Sequence, residues 1–88
     1  MVGDCVARFP SSREYIEFAA QLVTARKACG LTQHQLAEKL GRPQSYIAKI
    51  ERAERRVDVI EFLELLDALD TTADPFFERI RKARLNWR

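Results

Sequence analysis

Eighty-eight residues, 47% of them apolar, suffice for one domain with a single modest core and exclude wholesale disorder. No apolar run approaches the roughly 20 residues of a membrane span, and the first ten residues, which carry Asp4, read as a flexible segment rather than a signal peptide. The net charge is only +2, but residues 24–56 hold eight bases against three acids and residues 57–75 hold six acids and no base; such segregation makes a cationic face able to attract a polyanion.

No stretch alternates as a strand, so the chain reads as all-α, helices joined by short turns. The first helix starts at Ser11, which with Glu14 makes an S-x-x-E capping box. Tyr15, Phe18, Ala19, Leu22, Ala25 and Cys29 recur at helical spacing and predict its buried stripe. Gly30 ends it by supplying a left-handed residue.

The second helix follows at once. Thr32 and Gln35 make a second capping box, Leu31 and Leu36 a hydrophobic staple, and Leu36, Ala37 and Leu40 face inward. Gly41 ends it in a tight turn. The third helix begins at Arg42-Pro43, with proline at the first helical position, where its missing donor costs nothing. Ile47 and Ile50 point to the core, while Gln44, Ser45, Ala48, Lys49 and Arg52 point away. Two short helices joined by a glycine, with small Ala37 at their crossing, can pack steeply and project the second into a groove. On periodicity alone, the polar residues of that second helix are equally well an ordinary solvated face.

A basic loop, Arg52 to Arg56, leads to a fourth helix from Asp58 to Leu69. Its apolar stripe is Val59, Phe62, Leu63, Leu66 and Leu69, and its acidic stripe, Asp58, Glu61, Glu64 and Asp67, is expected to face away from a polyanion. The fifth helix starts near Asp74, an N-cap with Pro75 behind it. Phe76, Ile80, Ala83 and Trp87 are spaced like a coiled-coil seam; they either fold back on the domain or pair with a second copy. The chain therefore divides into residues 1–10, a domain over 11–72 and a C-terminal helix over 73–88 that is a candidate dimerisation element.

The run from Gly30 to Gly41, GLTQHQLAEKLG, followed by QSYIAKIE from Gln44 to Glu51, closely resembles the phage repressor and Cro family of helix-turn-helix proteins, the XRE-like regulators. The resemblance spans roughly Leu22 to Leu69. It implies a repressor-like bundle of five helices with the helix-turn-helix at helices 2 and 3, and a homodimer bound to double-stranded DNA at a palindromic operator. Position by position, it implies that Gln33 contacts phosphate and braces Gln44, that Gln44, Ser45 and Lys49 read base edges, and that Arg26 and Glu51 tie helix 1 to the end of helix 3. The bland alternative for that last pair is an exposed ion pair of little worth. Arg42, Tyr46, Arg52, Arg55 and Arg56 flank the reading helix as phosphate contacts, the alternative for the loop arginines being simple solvation. Pro43 stands where the family often has Ser or Thr, and Ala53 where it favours Gly, so the loop at Ala53 either avoids a positive φ or carries slight strain.

Nothing points to catalysis, a cofactor or a metal. His34 is a lone histidine on an exposed side, facing solvent or phosphate, and Cys5 and Cys29 are spaced for neither a zinc site nor a disulfide framework, as expected of free thiols in a cytoplasmic protein. The sequence-level conclusion is a DNA-binding transcriptional repressor. The competing one is an interaction module, such as an antitoxin that binds a toxin through its C-terminal helix.

Overall fold

The structure, a computed structural model, describes residues 12–87, with side chains through Leu85. Among the described residues it holds five α-helices and no strand: α1 (Arg13–Ala28), α2 (Gln33–Leu40), α3 (Gln44–Glu51), α4 (Val59–Leu69) and α5 (Asp74–Trp87). No helix among them is long and apolar enough to cross a membrane.

The helix starts differ in how they are capped. The cap of α1 is Ser12, one residue later than expected: its Oγ accepts from the Tyr15 amide, while Ser11 lies outside the described residues. With Tyr15 rather than Glu14 in the third position the box is only half made. The box on α2 is complete, Thr32 Oγ1 accepting from the Gln35 amide and Gln35 Oε1 from the Thr32 amide. Pro43 precedes α3 rather than opening it. Its ψ of 155° is still extended, so Gln44 is the first helical residue. Asp58 and Glu61 form a further full capping box on α4, and Asp74 is the first residue of α5 rather than its cap.

The core gathers Leu22 of α1, Leu36 of α2, Ile47 and Ile50 of α3, Leu65 and Leu69 of α4 and Phe76 of α5, each at most 1% exposed. Phe18, Phe62 and Phe76 meet mutually with ring centroids 5.2 to 5.4 Å apart, a spacing at which edge-on and tilted aromatic pairs attract. Helix α5 lies antiparallel to α1: Arg79 reaches Glu17 and Gln21, and Arg84 reaches Glu14. With Phe76 and Ala83 buried and Ile80 packed against the core, these three residues fold back on their own domain and are not free to form a seam with a second copy. The side chain of Trp87 lies outside the described residues.

Two expected stripes are corrected. Cys29 is exposed, because α1 stops at Ala28 and the next residue leaves the buried face; its thiol donates to the Leu69 carbonyl at 3.0 Å. On α4, Val59 and Leu63 are exposed and Leu65 is buried. Eight of the eleven residues of α4 are Val, Ile, Leu, Phe or Ala, so hydrophobicity alone does not select the inner face; packing against the other helices does.

Candidate nucleic-acid interface

The joint between α2 and α3 is set by Gly41. It sits at φ +67°, in the left-handed region, and its amide and that of Arg42 close the end of α2 on the carbonyls of Glu38 and Ala37. A β-carbon there would meet no atom within 4 Å, so the position needs glycine for its backbone angle and not for space. Ala37, 1% exposed, lies under the crossing, where a larger side chain would separate the helices.

A polar chain runs under α3 from end to end. Arg26 Nε and Nη2 donate to the Glu51 carboxylate at 2.6 and 3.1 Å, and Arg26 Nη1 donates to the Leu31 carbonyl at 2.8 Å. Gln33 Nε2 donates to Glu51 Oε1 at 2.8 Å, and Gln44 Nε2 donates to Gln33 Oε1 at 3.3 Å. Helix α1, the start of α2 and both ends of α3 are thereby locked in one relative orientation. The Arg26 and Glu51 side chains are 10% and 5% exposed, so the reading as an exposed pair is set aside.

On the outer side of α3, Gln44, Ser45 and Lys49 are all exposed. Ser45 and Lys49 line a shallow concavity with Arg42, Tyr46, Glu54 and Arg55. Tyr46 is buried. Its ring carries two guanidinium groups, those of Arg42 and Arg55, at 4.4 and 4.6 Å from the centroid, and burial raises its hydroxyl pKa above 10.0. The loop after α3 is pinned from α1. The Tyr15 hydroxyl donates to the Arg55 carbonyl at 2.6 Å, and the Arg56 guanidinium lies 4.7 Å over the Tyr15 ring. Ala53 takes φ +61°, so of the two readings of the departure from glycine there, the strained one holds.

The acids around this face were not legible as its partners. Arg55 binds Glu61 through both terminal nitrogens, at 3.2 and 3.1 Å, and Arg42 lies 3.6 Å from Glu61 and 3.8 Å from Glu64. The hydrogen bond from Arg55 holds the Glu61 carboxyl below its usual range. Arg52 pairs with exposed Glu54 at 3.1 Å. Glu61 and Glu64 therefore lie against the basic flank of α3, not turned away from it, because α4 packs across the end of the helix pair. A weak signal existed in the sequence: Glu61 follows Arg55 by six residues across a short loop. His34 is exposed and lies 3.7 Å from Glu38, an ordinary surface contact.

A Helix-turn-helix family model matches residues 22–76, more than half of the chain. Among solved structures, the chain is similar to an XRE-family like protein from Pseudomonas syringae pv. tomato str. DC3000, with 40% identity over 78% of this chain and 84% of that one and a TM-score of 0.69. It is similar to the restriction-modification controller protein C.AhdI from Aeromonas hydrophila, with 32% identity over 74% and 98% of the two chains and a TM-score of 0.69. A third neighbour is the restriction-modification controller protein C.Esp1396I, solved as a tetramer in complex with its natural 35 base-pair operator, with 27% identity over 85% and 99% of the chains and a TM-score of 0.72. No curated protein matches the chain.

Proposed function

This chain belongs to the XRE family of helix-turn-helix proteins, DNA-binding transcriptional regulators rather than enzymes, and from that premise we propose that it is a repressor that reads a palindromic operator as a homodimer. The reading segment is Pro43–Arg52. Gln44, Ser45 and Lys49 read base edges in the major groove, where an amide can grip adenine bidentately and an ammonium favours the guanine acceptors. Gln33, Arg42, Arg52, Arg55 and Arg56 hold phosphates; Tyr46, expected among the phosphate contacts, is buried and instead supports the two arginines stacked on its ring.

The observation that carries this reading is the hydrogen bond from Gln44 to Gln33. An exposed glutamine on a solvated face has no reason to be fixed. One fixed at the start of a projecting helix presents its amide in one orientation, which is what base readout needs. Dimerisation is supported by the operator-bound tetramer of C.Esp1396I and by an apolar face left uncovered: Val59, Ile60, Leu63 and Phe77 are each more than half exposed, and Val59 and Phe77 line one groove with Tyr15 and Phe18 of α1.

The test is selection of bound duplexes from a random pool, followed by footprinting of the enriched sequence. A symmetric site with half-sites about one helical turn apart, roughly 34 Å, is the expected result. Failure to enrich any sequence over the starting pool overturns the proposal.

A further inference from the structure

Arg42 and Arg55 face DNA under the reading above, yet both are already engaged by one anion. Glu61 accepts two hydrogen bonds from Arg55 and lies within ion-pair distance of Arg42. Its position is fixed from behind, since Oε1 also accepts from the Asp58 amide at 3.1 Å as half of the α4 capping box. The side chain is only 14% exposed. The Tyr46 ring fixes the two guanidinium groups from a second direction. Glu61 thus occupies, from inside the protein, the place that a phosphate would take between two arginines.

We propose that Glu61 is a specificity-determining residue: an internal anion that positions Arg42 and Arg55 and partly cancels their charge, so that DNA without the correct base sequence is held weakly. The inference rests on the DNA-binding reading. Non-specific binding comes almost entirely from phosphate neutralisation, whereas a correct site adds base contacts that are indifferent to Glu61. An acid built into the cationic face weakens the phosphate contacts of any DNA, and the discrimination comes from the positioning that accompanies it. The arginines remain oriented for a correctly docked backbone, where contacts on their free edges add to those with Glu61.

The test compares wild-type protein with Glu61→Gln on the selected duplex and on a scrambled duplex, across about 50 to 200 mM salt. Glutamine keeps the length of the side chain and can still complete a capping box, so the change is chiefly one of charge. The expected result is a roughly tenfold gain in affinity for scrambled DNA, a log–log salt slope steeper by about one to two units, and a several-fold smaller ratio of specific to non-specific affinity. Asp67→Asn, the same charge change at an exposed position of α4, is expected to leave the ratio near that of the wild type. Should Glu61→Gln not fold, Glu61→Asp withdraws the carboxylate from both arginines without changing net charge, and it should lower the ratio in the same direction. A ratio unchanged in the folded Glu61 variant, or reduced equally by Asp67→Asn, overturns the inference. Wild-type protein that binds neither duplex would instead overturn the DNA-binding reading itself.

Discussion

Glu51 holds Arg26 through two hydrogen bonds, at 2.6 and 3.1 Å, with both side chains at least nine-tenths buried. The pair joins the last turn of the domain's longest described helix to the last residue of the helix proposed to read DNA. Removing one partner of such a pair leaves a buried charge uncompensated, at a cost of about 3–5 kcal/mol. Glu51→Ala should lose about that much stability in urea titrations. The double variant Arg26→Met with Glu51→Leu should recover much of the loss, because a packed apolar pair often replaces a buried ion pair without penalty. It should still discriminate poorly among DNA sequences, since Gln33 then loses the carboxylate that fixes it. A double variant as unstable as Glu51→Ala would show that the pair contributes more than charge compensation.

Gln44→Ala should cost about 1–3 kcal/mol at one base position and relax the sequence requirement there, as truncation of a bidentate base contact does. Gln33→Ala should produce a smaller loss centred on the same position, because it releases Gln44 without removing it. Competition binding against duplexes varied one pair at a time checks both. A loss spread evenly over all sequences would make Gln44 a backbone contact rather than a reader.

How much of this was legible beforehand divides along a physical line. Local chemistry was readable: Thr32 with Gln35, Asp58 at the head of α4 and Gly41 at the turn all act within four residues of themselves, and the structure has them there. The tie between Arg26 and Glu51 and the brace between Gln33 and Gln44 came through the resemblance, and each pair is hydrogen-bonded; the bond from Gln33 to Glu51 did not. What was not legible depends on which face of α4 turns inward. That helix is apolar almost all round, so only its packing places Leu65 inside and Leu63 outside. The same rotation sets Glu61 against Arg42 and Arg55, a relation that no periodicity in the sequence contains.

Ala53 at φ +61° carries a β-carbon in a conformation that costs a non-glycine residue roughly 1–2 kcal/mol. Ala53→Gly removes that strain but frees the unfolded chain by about 0.4–1 kcal/mol. The net expectation is a stabilisation of about 0.5 kcal/mol, seen as a higher urea midpoint with an unchanged slope. A lower midpoint would show that the loop holds its shape at no cost to alanine.

Burial raises the Tyr15 hydroxyl pKa from 10.0 to about 12, while its proton is donated to the Arg55 carbonyl. The unfolded chain releases this proton first, so the stabilisation is fully present below pH 10 and is lost as the pH climbs from 10 to about 12. Tyr15→Phe should lower stability at neutral pH by about 0.5–1.5 kcal/mol through the missing hydrogen bond, and it should flatten the decline above pH 10. Denaturant titrations of both proteins at matched pH isolate the contribution of this tyrosine. Parallel curves for the two proteins would remove Tyr15 from the alkaline transition.

Ile60 and Leu63 are 64% and 51% exposed, three residues apart on α4, with Val59 four residues before Leu63 on the same side. Phe77 of α5 extends the patch: it meets Phe62 at 6.0 Å and shares a groove with Val59. If this is the surface by which two copies join on an operator, a carboxylate at its centre must be desolvated on association without a partner. Leu63→Glu should therefore raise the dissociation constant of the dimer at least tenfold in sedimentation equilibrium. The native bundle should survive, because the position is half exposed in the single chain. Binding to a two-half-site duplex should fall more steeply than binding to an isolated half-site, since only the former draws on the contact between copies. Self-association unchanged by Leu63→Glu would place the dimer contact elsewhere and leave this apolar face without that role.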